Sequence, residues 1–271
     1  VPRKGEKQFS MMQIREKRRD PILETHDLTI RFGGQTAVDH VHFTVEPFTL
    51  KSIIGPNGAG KTTLFNLMTG QYKATEGSIF LKGRDITRLN AAERARLGMG
   101  RSFQLTNIFP VLSVLENVRV SVQARLGFGF RFWKHISHFP EAEEEAYALL
   151  EKVLLAERWA EPAGTLTHGE KRKLEIAILM ALEPEILFLD EPTAGMAQEE
   201  VPAILEILQE IKASGNRTLL LVEHKMDLIM SLSDRIAVLQ EGKLIADGPP
   251  EEISESEAVR EAYLGGGVSH A

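Results

Sequence analysis

The 271-residue chain contains no cysteine. That removes disulfides, thiolate metal sites and cysteine nucleophiles together, and it is compatible with a reducing cytoplasm. No apolar run approaches the roughly 18 to 20 residues that a helix needs to cross a hydrocarbon core, and no signal-peptide pattern opens the chain. Any membrane role is therefore expected to be peripheral. Excess basic charge is missing as well. The formal net charge is -6 and the pI about 5.8, so a nucleic-acid partner that depends on a dominant basic field is not expected, although local patches stay open. There is no internal repeat. What remains, 43% hydrophobic and 26% charged residues, is an ordinary globular composition that can bury a sizeable core as one large domain or two lobes.

Residues 1–20 hold Arg3, Lys4, Lys7, Arg15, Lys17, Arg18 and Arg19 with little apolar periodicity, as expected of a flexible basic arm. From Ile22 the pattern changes. "ILETHDLTIRF" and "AVDHVHFTVE" alternate apolar and polar residues like half-buried antiparallel strands, with Gly33 and Gly34 marking the turn, and "TLKSII" reads as a third strand. "LFNLMTG" has helical spacing and stops at Gly70; "GSIFLKG" returns to strand. Residues 90–184 read as mostly helical, with "EAEEEAYALLEKVLL" and "EKRKLEIAILMAL" the clearest segments, and are expected to form a helical lobe inserted into an α/β core. After it, "EILFLD", "RTLLLVE" and "RIAVLQ" alternate with helical segments as in a parallel sheet, and "GKLIADGPPEEI" adds a short strand and a last helix.

Three stretches carry chemistry. In "GPNGAGKTT", residues 55–63, a strand turns through three glycines into a helix. Such a corner points several backbone N–H groups into one concavity, to which the helix N-terminus adds partial positive charge. The concavity fits phosphates. Gly55, Pro56, Asn57, Gly58, Ala59, Gly60, Lys61, Thr62 and Thr63 are the expected nucleotide-binding residues; Lys61 can reach the β- and γ-phosphates and the Thr62 hydroxyl can ligate Mg²⁺. In "ILFLDEP", Asp190 ends a buried strand, where α/β sheets bind ligands, and can hold Mg²⁺ through water. Glu191 beside it is the candidate general base for the attacking water. In "TLTHGEKRKLEIA", Thr167 and Glu170 form a capping box, and a capped helix start with Gly169 exposed is also an anion site that another subunit's nucleotide could use.

"GPNGAGKTT", "LTHGE", "ILFLDEPTAG" and "LLLVEHK", in that order, resemble the nucleotide-binding subunit of an ABC transporter over residues 22–264. The resemblance implies a P-loop NTPase core of the ABC ATPase type: an α/β fold with an antiparallel β subdomain and an inserted helical subdomain at about 90–184, the whole spanning residues 21–264 and followed by a tail at 265–271. It implies ATP and Mg²⁺ as ligands, and two ATPase chains that sandwich two ATP molecules head to tail. It also implies three roles that spacing alone does not supply. Phe32 falls where a ring stacks on adenine, Gln104 of "GRSFQ" where a glutamine contacts Mg²⁺ and the attacking water, and His224 where a switch histidine meets the γ-phosphate. Without the family, each reads as an ordinary core or surface residue.

Two positions depart from the family pattern. The signature, usually Leu-Ser-Gly-Gly-Gln, is here Leu166, Thr167, His168, Gly169 and Glu170, and the aspartate usual after the strand-end carboxylates is Ala197. The second departure bears on coupling across the dimer and on whether the two nucleotide sites are equivalent. Within the family, "RFGGQTAVDHVHFTV", "GMGRSFQLTNIFPVLSVLENV", "DEPTAGM" and "GPPEEI" followed by "EAYLGGG" resemble the ATP-binding subunits of branched-chain amino acid importers. That implies membrane permease partners, a second and different ATPase subunit (a homodimer being the alternative), an indirect soluble binding protein, and a place on the cytoplasmic face of the inner membrane. Urea and amide importers, lipopolysaccharide exporters and a weakly hydrolysing regulatory subunit are the other readings. A soluble ABC ATPase of DNA repair or translation fits poorly, for want of long coiled-coil insertions or duplicated halves. The aromatic and basic stretch "RLGFGFRFWKHISHF" is expected either to dock on a membrane partner or to fill the lobe's own small core.

Overall fold

The structure, a computed structural model, describes residues 20–102, 108–127 and 140–264. Gln104, most of the basic arm, the aromatic stretch beyond Gly127 and the tail at 265–271 lie outside the described residues. In chain order the first elements are β1 (Leu23–Phe32), β2 (Gln35–Val45), β3 (Leu50–Ile54), α1 (Lys61–Met68), β4 (Glu76–Leu81), β5 (Arg84–Asp85) and α2 (Ala91–Arg96). The middle holds β6 (Met99–Arg101), α3 (Val114–Arg125), α4 (Pro140–Lys152), α5 (His168–Ala181), β7 (Ile186–Asp190), α6 (Val201–Ala213), β8 (Thr218–Val222) and α7 (Met226–Leu232). The chain then runs through β9 (Arg235–Gln240), β10 (Lys243–Gly248), α8 (Pro250–Glu255) and α9 (Glu257–Leu264). It divides into two compact units, one of residues up to 94 together with those from 233 onward, the other of residues 95–232.

In the first unit an antiparallel sheet has the order β2-β1-β4-β5. The hairpin β1/β2 pairs Leu23 with Val45 and Phe32 with Gln35, closing at the expected Gly33–Gly34 turn. Alternation drives this pairing: Val41, Phe43 and Val45 are buried while His42 and Thr44 between them are not. β3 is different. All five of its residues are buried, β9 runs parallel to it from Arg235 to Val238, and β10 returns antiparallel on β9. One of those buried residues is Lys51. Its ammonium donates to Thr44 O at 2.7 Å and to the Asp247 carboxylate, and lies 4.4 Å from the centre of the Phe43 ring, which is how a charge survives at a core position.

The second unit has a parallel sheet in the order β6-β7-β8, with Ile186 to Asp190 facing Thr218 to Val222 residue by residue. β7 and β8 are buried at every position, and each fully buried Leu or Ile contributes on the order of 1.5–3 kcal/mol. α4 buries Ala142, Ala146, Leu149 and Leu150 at helical spacing, and α5 starts at the expected capping box of Thr167 and Glu170. β6 is a difference from the sequence reading, since it lies within the stretch read as mostly helical. Three residues, Met-Gly-Arg, are too short to show a period of two. They form a strand because β7 offers its edge, and because Gly100 fits where a Cβ would stand 2.8 Å from the Pro184 ring.

Candidate functional site

Within the first unit, β3 runs out at Ile54 into a turn made almost wholly of backbone. Gly55, Gly58 and Gly60 all have positive φ, at 152°, 81° and 97°. A Cβ on Gly55 would stand 2.1 Å from Leu239 O and one on Gly60 2.5 Å from Ala37 O, so both positions exclude side chains on space as well as on conformation. α1 begins at Gly60 with no side-chain cap and no acidic residue in its first turn. Its first N–H groups and its dipole therefore face outward for an anion. The Lys61 ammonium, buried, donates to Gly55 O at 2.7 Å and Pro56 O at 2.9 Å, which holds it across the loop. Thr62 and Thr63 follow, half-buried, while Asn57 and Gly58 are exposed at the rim and Ala59 is packed beneath. At the edge of the same unit Phe32 is 47% exposed and meets Tyr72 edge to face, ring centres 5.4 Å apart. Both rings are accessible, as stacking on a base requires.

Within the second unit the chemistry is built from side chains. Asp190 is fully buried at the end of β7. Arg101 Nη2 donates to its Oδ2 at 3.2 Å, and the buried Oδ1 has no partner among the described residues. Burial pushes the Asp190 carboxyl above the usual aspartate range, against the pull of the Arg101 charge. A hard cation suits such an oxygen. The orphaned Oδ1 fits Mg²⁺, which is commonly held by one or two carboxylates together with substrate phosphates. Next along, Glu191 has φ 48°, a left-handed conformation that is uncommon outside glycine, and its N–H is tied to Val222 O at 2.8 Å. From there its Oε1 accepts a hydrogen bond from His224 Nε2 at 2.8 Å.

Glu223 is the residue that joins these parts, and the sequence reading passed over it. Buried at 3% exposure, its Oε1 accepts from the backbone N–H of Thr193 at 3.1 Å and from the Thr193 hydroxyl, while its Oε2 accepts from the N–H of His224 at 2.8 Å. One carboxylate thus holds both the turn after Glu191 and the start of the histidine segment. Its place within "LLLVEHK" suggests nothing of the kind, because the groups that need it come from a turn 30 residues earlier.

The signature helix α5 also holds more than was read from it. Thr167 Oγ1 accepts from Glu170 N at 3.2 Å, and the Thr167 N–H donates to Glu170 Oε2 at 2.8 Å. Burial would raise the Glu170 carboxyl, but the Thr167 N–H and the Arg158 guanidinium, 2.6 Å from Oε1, hold it below the usual range. Glu200 reaches across the same helix start. Thr167 Oγ1 donates to its Oε1 at 3.1 Å, and Gly169, expected from the sequence to be exposed, is instead buried because this carboxylate covers it: a Cβ there would stand 2.6 Å from the Glu200 carboxylate. His168, at a departure from the family signature, donates from Nε2 to Ala194 O at 3.1 Å. Ala197, at the other, starts the short helical turn that carries Glu200, whose Oε2 accepts from the Ala197 N–H at 3.3 Å.

Comparison with known proteins gives the family. Residues 38–194 match the ABC transporter family, and residues 243–269 match the branched-chain amino acid ATP-binding cassette transporter family. The chain is 41% identical over 250 residues to the high-affinity branched-chain amino acid transport ATP-binding protein LivG of Escherichia coli K12, and 43% identical over 250 residues to BraF of Pseudomonas aeruginosa. Each alignment covers 90% of this chain and 98% of the relative. Among solved structures it is similar to the ADP conformation of MJ1267, an ATP-binding cassette of an ABC transporter, with TM-score 0.78 and 30% identity over 91% of this chain and 99% of that one. A nucleotide-free ATP-binding cassette from an ABC transporter matches with TM-score 0.77 and 30% identity, over 90% of this chain and 99% of its own. With its motifs, its α/β fold and these relatives in agreement, the chain belongs to the ATP-binding cassettes of the ABC transporter family.

Proposed function

We propose that this chain binds and hydrolyses ATP to power a membrane transporter that imports branched-chain amino acids. The observation that carries the hydrolytic part is the 2.8 Å hydrogen bond between His224 and Glu191, with Glu191 held in a left-handed backbone beside Asp190. Glu191 is the general base that takes the proton of the attacking water, a role worth roughly 10²–10⁴-fold. His224 orients that carboxylate and meets the γ-phosphate. Gly55, Pro56, Asn57, Gly58, Ala59 and Gly60 wrap the phosphates with backbone N–H groups, Lys61 neutralises them, and Thr63 extends the cradle into α1. Phe32, seconded by Tyr72, stacks on the adenine. Mg²⁺, when bound, offsets charge on the phosphates, and Thr62, Asp190 and Gln104 are the residues to hold it. Thr167, Gly169 and Glu170 address the nucleotide of a partner ATPase.

The cargo assignment rests on relatives named for branched-chain amino acid transport and on the C-terminal match over 243–269. No helix among the described residues is long and apolar enough to cross a membrane, so permease subunits must supply the path. The chain then sits on the cytoplasmic face of the inner membrane as a peripheral subunit, beside a second ATPase. To test this, the Glu191→Gln chain is captured from its native membranes in mild detergent and its partners are identified by mass spectrometry. Two permease chains and a second, different ATPase are expected. A homodimer on export permeases, or soluble partners alone, would keep the ATP chemistry and overturn the transport assignment.

A further inference from the structure

Asp190 ends β7 with one carboxylate oxygen engaged and the other not, and the engaged oxygen is held by a residue to which nothing above gives a task. Arg101 is the last residue of β6 and pairs in register with Phe188. Side chains alternate along a strand, so Arg101, Phe188 and Asp190 share one face of the parallel sheet, and the long Arg101 side chain can run along that face to the carboxylate two residues on. It does so at 3.2 Å from Oδ2, with its own side chain only 12% exposed. Next to it, Ser102 fixes the same strand end. Its N–H donates to Phe188 O at 2.9 Å, and its hydroxyl accepts from Asp190 N at 3.3 Å.

An ion pair in this place could simply fasten β6 to β7. The strands are already fastened, however, by their ladder, by Ser102 and by the packing of Gly100 on Pro184, and a buried salt bridge adds little net stability once its desolvation is counted. The asymmetry of the contact points elsewhere. A carboxylate with one oxygen held by a guanidinium cannot turn freely, so its second oxygen is presented in a fixed direction. Here that second oxygen is the buried Oδ1 with no partner among the described residues. We propose that Arg101 is a positioning residue for the metal: by holding Oδ2 of Asp190 it aims Oδ1 at the Mg²⁺ that accompanies ATP. This rests on the reading of Asp190 as a metal carboxylate. It also places the metal's support in the same short segment that leads to Gln104.

The test reads binding rather than turnover. In the full-length Glu191→Gln chain, a fluorescent ATP analogue is titrated in EDTA and at increasing Mg²⁺, with and without Arg101→Met. The Arg101→Met change is expected to raise the Mg²⁺ concentration for half-maximal enhancement about ten-fold, in the range that outer-shell partners of metal ligands command, and to leave binding in EDTA unchanged. Arg101→Lys keeps the charge without the planar fork; it is expected to fold and to recover about half of that shift on a logarithmic scale, which keeps the test decisive if the Met variant does not fold. An unchanged or lower Mg²⁺ requirement, or an equal loss of binding in EDTA and in Mg²⁺, overturns the proposal while leaving Asp190 as the ligand. If the parent chain shows no Mg²⁺ enhancement at all, the metal reading of Asp190 fails and this inference fails with it.

Discussion

Residues 55–61 form a turn built almost wholly from backbone, whereas residues 190–224 are organised by side chains that reach across elements. In the first region the only charged atom is the Lys61 ammonium, and it is held by main-chain carbonyls. In the second, Asp190, Glu191, Glu223 and His224 are each placed by a partner distant in sequence or by an uncommon backbone angle. A backbone site fails when a Cβ is added. A side-chain site fails when a proton donor or acceptor is removed, and it can do so with its fold intact. Binding and catalysis should therefore separate under mutation.

The largest effect is expected at Gly55. Its alanine would meet Leu239 O at 2.1 Å in a conformation that L residues rarely adopt, so Gly55→Ala should cost on the order of 4 kcal/mol or more in chemical denaturation and abolish ATP binding. Gly58→Ala sharpens the comparison. With nothing within 4 Å of the added methyl, it should cost only about 1–2 kcal/mol and keep measurable binding; equal damage at both positions would mean that conformation and not space governs the loop.

Next in size is Glu191→Gln, expected to lower hydrolysis on the order of 10²-fold or more with ATP binding retained. Glu223→Gln comes third. Replacing one carboxylate oxygen by an amide donor opposes either the Thr193 groups or the His224 N–H, which should cost about 1–3 kcal/mol of stability and about ten-fold in kcat with the ATP affinity unmoved; an altered affinity with normal kcat would contradict its placement here. The smallest effect is at the signature helix. Thr167→Ala removes the cap and should cost about 1 kcal/mol in thermal unfolding, with Thr167→Ser close to the parent.

The same contrast explains what was legible beforehand. The phosphate loop could be read because its conformational demands fall on adjacent residues, and glycine is the answer the chain has to give at each of them. Asp190 could be read because four apolar residues in a row before a carboxylate describe a strand end. The partners could not. Arg101 lies 89 residues before the carboxylate it holds, on a strand too short to announce itself, and Glu200 meets Thr167 across 33 residues. The resemblance to a family supplied Phe32 and His224 but not Tyr72 or Glu223, whose contacts with Phe32, Thr193 and His224 show only once the chain is folded. His224, read from the family alone, is found bonded to Glu191, while Gln104 falls outside the described residues.

The measurement that bears most directly on the division between a binding region and a chemical region is ATP affinity and turnover taken side by side, on the membrane complex, for the parent chain, Lys61→Ala and Glu191→Gln. Loss of affinity with Lys61→Ala, and loss of turnover at preserved affinity with Glu191→Gln, is the predicted result. Turnover surviving in Glu191→Gln, or affinity lost equally in both variants, would contradict it.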